Sequence, residues 1–236
     1  MRKNKLRELI DNKQPSIGAR VLTPWPGMIE VIANTNAIDY IEFIGEYTPW
    51  DLHDLENIGR AAELHNVSTM FKVDQEPNGF LAQRALGSGI QNILFTDIRS
   101  VEDAKKCIKI VRPEIPGVDG INGCHMRRNV GYVLECGSQD YVQAMKDSVI
   151  AIMVEKKGCI DNLEEILSLA VIGKKHILNE QNLIQYFKEV EKAKLYELKR
   201  HFHENTSYQI KNQLDHLQER KLLSKGKNGW YGLRRK

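Results

Sequence analysis

The chain has no long apolar run. The longest, Val149 to Val154, is six residues, and a helical membrane span needs about 18 or more. Its start, Met-Arg-Lys-Asn-Lys followed by Leu6-Arg7-Glu8-Leu9-Ile10, is too short and too charged for the apolar region of a secretory signal. These absences point to a cytoplasmic chain with no membrane partner. Cysteine is scarce: Cys107, Cys124, Cys136 and Cys159, with separations of 17, 12 and 23 and no Cys-x-x-Cys pair. Paired short spacings are what zinc sites use, and their lack argues against a zinc site. Without an export signal the four are expected as reduced, mostly buried thiols. No Gly-x-Gly-x-x-Gly follows the first strand, and no Walker A loop occurs. Nucleotide binding therefore loses its usual phosphate cradle.

What is present is a charge split. The 236 residues carry a net charge of +3. Residues 174–236 hold 15 Lys and Arg against 7 Asp and Glu, a net of +8. Residues 1–173 hold 19 against 24, a net of −5. A hydrophobic fraction of 42% with mean hydropathy −0.43 supports a buried core. An acidic body joined to a basic tail reads as two modules.

Periodicity organises the acidic part. Short apolar runs at 19–22, 40–44, 68–73, 92–96 and 149–154 read as strands. Helical patterns at 28–35, 52–65, 79–86, 101–110, 141–146 and 163–167 alternate with them. A loop with Pro113, Pro116, Gly117, Gly120 and Gly123 precedes the last strand. This alternation predicts five parallel βα units, in a doubly wound sheet or in part of a (β/α) barrel. In either, chemistry belongs at the C-terminal strand ends: residues 23–25, 46–48, 72–75, 96–99 and 155–157.

Several motifs in order carry a resemblance. They are DYIEFIGEYTPW at 39–50, Lys72-Val-Asp-Gln-Glu-Pro77, Gln83-Arg-Ala-Leu-Gly-Ser-Gly89 and Val154-Glu155-Lys-Lys157, with QPSIGARVLTPWPGMIEVIA at 14–33. Residues 4–168 resemble the HpcH/HpaI family, class II aldolases of 2-keto-3-deoxy sugar acids and 4-hydroxy-2-oxo diacids. The resemblance implies a (β/α)8 barrel fold, here a partial one of about five units. It implies a metal-dependent lyase that releases pyruvate or a related 2-oxo acid from a small 2-oxo acid substrate. A bound Mg or Mn ion would stabilise the enolate as a Lewis acid.

Carried over position by position, Glu155 matches a metal-ligand carboxylate. Lys72 stands where the family has an arginine that contacts the 2-oxo acid; it keeps the charge and loses the fork. Tyr47 stands where the family has its catalytic histidine, and tyrosine, with an ordinary pKa near ~10, is the weaker base. Met153 replaces a polar residue. Arg127 and Arg128, with His125, are candidates for binding an anionic substrate, and Asp74 and Glu76 for assisting metal or water. No Gly-Pro-x-Asp loop follows Ser168, so the family's second metal ligand is not matched. A five-unit wall leaves two open edges, which predicts a homo-oligomer joined through them.

Residues 169–178 (LAVIGKKHIL) read as a connector or short strand. Residues 179–236 resemble a winged helix-turn-helix domain. A helix follows Asn179, with apolar Leu183, Ile184, Phe187 and Val190. A second carries Leu195, Leu198 and Phe202. Thr206-Ser-Tyr-Gln209 is a capping box opening a third, with Ile210, Leu214 and Leu217 inward. Asn228-Gly229 between apolar runs signals a hairpin. Such a fold offers Ser207, Gln209, Lys211, Asn212 and Gln213 to bases, and Lys225, Lys227, Arg234, Arg235 and Lys236 to phosphates. Three readings of the whole follow: an aldolase-type lyase, a DNA-binding regulator, or an interrupted aldolase frame running into an unrelated segment.

Overall fold

The computed structural model describes residues 1–73, 79–172, 192–194, 198, 211, 214, 215, 217, 218, 223–225 and 230–233. They fall in two compact units, Met1–Leu169 and Ala170–Lys236. The first unit runs α1 (Lys5–Asp11), β1 (Gly18–Val21), α2 (Pro26–Ala33), β2 (Tyr40–Ile44), α3 (Leu52–Leu64), β3 (Ser68–Lys72) and α4 (Gly79–Ser88). It continues through β4 (Asn92–Phe95), α5 (Val101–Val111), a 3-10 turn (Arg128–Val130), α6 (Gln139–Asp147), β5 (Ile150–Ile152), α7 (Lys157–Asp161) and most of α8 (Leu163–Ile172).

Each strand pairs in parallel with its predecessor, in the order β1-β2-β3-β4-β5. A doubly wound sheet reverses its strand order at a switch point. This sheet has no reversal, so it is wound as part of a (β/α) barrel wall. The helices begin where the chain supplies caps. Asp51 and Asp54 form a capping box on α3, and Ser100 and Asp103 form one on α5. The amphipathic faces of α3 (Leu55, Ile58, Ala62) and α5 (Ala104, Cys107, Ile110) lie in one core with the alternate strand residues Ile41, Phe43, Phe71, Val73, Ile93 and Phe95.

The opposite sheet face is closed at the N-terminal strand ends by α1, an element with no clear pattern in the sequence. Leu6 packs with Met70 and Val149. Asn4 donates through Nδ2 to Asn92 Oδ1 at 2.7 Å and accepts through Oδ1 from Ser68 Oγ at 3.2 Å. Asn92 also accepts from Val149 N–H at 2.8 Å and donates to the Thr69 carbonyl at 2.9 Å. These buried amides pair one another, as interior polar groups must, and tie three strands to the amino-terminal helix.

Two expectations need correction. Cys107 and Cys159 are buried thiols, but Cys124 and Cys136 are exposed and joined as a disulfide, with Cα atoms 5.9 Å apart. Spacing along the chain does not reveal that the 124–136 loop doubles back on itself. The segment expected to start a connector at residue 169 is instead helical to Ile172, and residues 173–178 lie outside the described ones.

In the second unit, β6 (Lys192–Lys194), β7 (Leu223–Lys225) and β8 (Trp230–Leu233) form an antiparallel sheet in the order β6-β8-β7. Lys225 pairs with Tyr231, so β7 and β8 make the hairpin expected around Asn228-Gly229. β6 is additional: three residues are too few to show an alternating pattern. Leu198, Leu214 and Leu217 are fully buried while Lys211 is exposed, as the helical spacing predicts.

Candidate active site

The C-terminal ends of the strands gather charge. Lys72, the last residue of β3, is only 3% exposed. Its ammonium forms an ion pair with Glu46, which is also buried, just beyond β2. Gly45 sets this proximity. A Cβ there would sit 2.2 Å from the Phe71 ring, so only glycine lets the β2 end run against β3. Gly45 N–H donates to the Lys72 carbonyl at 3.1 Å, and Trp50 Nε1 donates to the Gly45 carbonyl at 2.9 Å. Trp50 in turn packs edge-on against Phe71 at 5.1 Å. The segment after β2 is thereby folded over the end of β3.

Tyr47 completes this corner. Its ring lies 4.8 Å from Lys72 Nζ, in cation–π range, and its side is open to solvent. Burial pulls an ammonium's pKa down. Here the Glu46 hydrogen bond and charge, with Tyr47 and Glu155 adding to them, outweigh burial and hold Lys72 above the ordinary lysine value of 10.5.

Glu155 lies beyond β5, exposed, with Oε1 accepting from the Asp97 N–H at 3.1 Å. Asp97, beyond β4, is buried and has φ of 58°, in the left-handed region. Such a backbone is uncommon outside glycine, with asparagine and aspartate the usual exceptions. Its carboxylate meets Lys156 Nζ at 2.6 Å and Arg99 at 3.7 Å. Asp97 and Arg99 lie in no quoted motif, and Lys156 lies in one without being singled out; position at the strand ends was the signal available.

The structure does not bring Arg127 and Arg128 to these strand ends. Arg127 meets Glu56 of α3 at 3.5 Å and Ser88 Oγ at 3.4 Å. Arg128 pairs with Glu63 at the far end of α3 and donates to the Ser88 carbonyl. Both clamp the outer helix layer. His125 is held below its ordinary pKa by partial burial and by Arg84 and Arg127. Asp74 and Glu76 lie outside the described residues, as do Ser207, Gln209, Asn212, Gln213, Lys227, Arg234, Arg235 and Lys236. Lys211 is helical and exposed, and Lys225 ends β7.

The divalent ion implied by the resemblance meets a poor donor set. Glu46 is engaged by Lys72, and Asp97 by Lys156 and Arg99. Among the described residues no three His, Cys, Asp or Glu converge to hold a metal ion. Mg and Ca sites draw on six or more oxygens, several of them carboxylate or water, and these residues alone do not make one.

No family model matches the chain, and no curated protein matches it. Among solved structures it is similar to a HpcH/HpaI aldolase/citrate lyase family protein from Burkholderia cenocepacia J2315, with 24% identity and a TM-score of 0.63 over 70% of this chain. It is also similar to the HpcH/HpaI aldolase from Desulfitobacterium hafniense DCB-2 (16%, TM-score 0.60, 70% of this chain). A third is the citrate synthase SbnG (19%, TM-score 0.55, 69% of this chain). The match covers 64%, 62% and 60% of those three chains respectively, less than two-thirds of each. At these identities the likeness establishes the fold: a partial α/β barrel.

A pH prediction follows from the Lys72 pair. Because its pKa is raised, the native state holds the proton more tightly than the unfolded chain. The stability it contributes is complete below pH 10.5 and is lost as pH rises through the higher native value. Thermal melts above pH ~10.5 are expected to fall faster for the native sequence than for the Lys72→Met/Glu46→Gln double variant. Parallel losses in the two proteins would contradict this.

Proposed function

We propose that the first unit is a carbon–carbon lyase of the aldolase type, acting on a 4-hydroxy-2-oxo acid at the C-terminal ends of β1–β5. The observation that carries it is the buried Lys72–Glu46 pair beneath Tyr47, set where (β/α) barrels do their chemistry. The likeness to HpcH/HpaI structures supports the same reading.

Cleavage breaks the bond between C3 and C4 of the substrate. Its electron pair moves to the C2 oxygen as an enolate, and the 4-hydroxyl loses its proton as the aldehyde forms. A proton returned to C3 then gives pyruvate or a related 2-oxo acid. The Lys72 ammonium, held by Glu46, would also donate to the developing oxyanion, where a fixed charge in a dry site is most effective. The Tyr47 hydroxyl would relay the 4-hydroxyl proton, accepting it as its own proton passes to the Glu155 carboxylate, and the reverse relay would return a proton to C3. Glu155, steadied by the Asp97 N–H, borders the same space. No step is assigned to the divalent ion that the resemblance implies, since Glu46 and Asp97, the other described carboxylates just beyond these strands, are already paired.

The test is pyruvate release from 4-hydroxy-2-oxo acids, measured with Mg, with Mn and with chelator. Turnover is expected, and Lys72→Met is expected to lower kcat/KM by about 100-fold or more, as for loss of an oxyanion donor. A folded protein without turnover in all three conditions would contradict the reading.

A second activity is proposed for the second unit: binding of DNA. The β7–β8 hairpin, formed within a segment of net charge +8, supports it. Lys225, Lys227, Arg234, Arg235 and Lys236 would meet phosphates, and five such contacts give a slope of about −4.5 in log affinity against log salt. Fluorescence anisotropy with duplex DNA is expected to show that slope. Absence of binding at about 50 mM salt, where phosphate contacts are strongest, would contradict it.

A further inference from the structure

The positive charge a 2-oxo acid site needs is already built into the chain. Lys72 Nζ is anchored by Glu46 and covered by Tyr47. Across the strand ends Lys156 and Arg99 neutralise Asp97. The remaining described carboxylate there, Glu155, spends one oxygen on a backbone N–H. Among the described residues, a hard divalent ion would find one partly used carboxylate and face resident ammonium groups of its own sign. An anion would find an ammonium whose one described hydrogen-bond partner is Glu46.

We propose that this site binds the enolate-like form of a 2-oxo acid without a divalent ion, the Lys72 ammonium supplying the charge that would otherwise come from a metal. This rests on the 2-oxo acid reading above. Two features of the corner suit Lys72 to it. Burial at the end of β3 places the charge where water screens it weakly, so its pull on an oxyanion is strong. The Glu46 contact fixes the ammonium in place before any ligand arrives, so binding need not order a long flexible side chain.

Oxalate, a planar dianion resembling the enolate of pyruvate, is the probe. Its affinity is measured by calorimetry on the full chain in chelator, then with added Mn or Mg. Binding in chelator is expected, with less than a threefold change on adding metal. Lys72→Met is expected to weaken it by about 30-fold or more, the cost of removing a charged hydrogen-bond partner, and Lys72→Arg to restore most of it. Lys72→Met leaves Glu46 buried and unpaired, so Lys72→Met/Glu46→Gln, which removes both charges, is measured beside it and is expected to be equally weak. Binding that appears only with metal, or that survives both Met variants, would overturn this inference and leave the 2-oxo acid reading standing. No oxalate binding with or without metal would overturn both.

Discussion

A lysine whose side chain is almost wholly buried must find a carboxylate, and at the end of β3 Lys72 finds Glu46. Removing two charges from solvent costs several kcal/mol each, and only close pairing recovers it. That demand shapes the corner around it. Gly45 lets the end of β2 approach β3, Trp50 ties the following turn back to Gly45, and Phe71 fills the space behind. The turn then lays Tyr47 over the ammonium. The pair is thus the point where packing on the helix side of the sheet becomes electrostatics at its C-terminal edge.

Charge at that edge is balanced locally. Glu46 answers Lys72, and Asp97 answers Lys156 and Arg99. Asp97 adopts a left-handed backbone, which turns its N–H toward Glu155 and its carboxylate toward the two cations. At the other end of the strands buried neutral groups, Asn4, Ser68 and Asn92, seal the sheet against α1, with the Lys5–Asp39 ion pair beside them. One end of the sheet is therefore closed by a helix, and the other carries paired charges with Tyr47 and Glu155 exposed. This polarity follows the general division of (β/α) barrels into a stability face and a catalytic face.

The fold of the first unit was largely legible in the sequence. Apolar runs placed all five strands within a residue or two, because strands covered on one side by helices and on the other by the lumen leave a dense hydrophobic signature. Strand order was not legible, since doubly wound and barrel sheets share that signature; the parallel pairing of each strand with its predecessor decides it. Lys72, Tyr47 and Glu155 are candidates through the resemblance and their places after strands, and the structure sets Tyr47 against Lys72. Arg127 and Arg128 were misplaced because a glycine-rich loop gives no sign of where it leads; in the fold it carries them outward to Glu56 and Glu63. The Cys124–Cys136 bridge was hidden for the same reason. Glu46 and Asp97 were passed over because a carboxylate's partner is a property of three dimensions.

The dependence of the corner on one ion pair is open to a direct measurement: a double-mutant cycle in urea unfolding with Lys72→Met, Glu46→Gln and the two together. Lys72→Met alone is expected to cost about 3–5 kcal/mol, since it strands a buried carboxylate. The double variant, with neither charge left, is expected to recover most of that loss. Costs that simply add, with a coupling energy below about 0.5 kcal/mol, would mean that Lys72 and Glu46 do not depend on each other, and the central claim would fall.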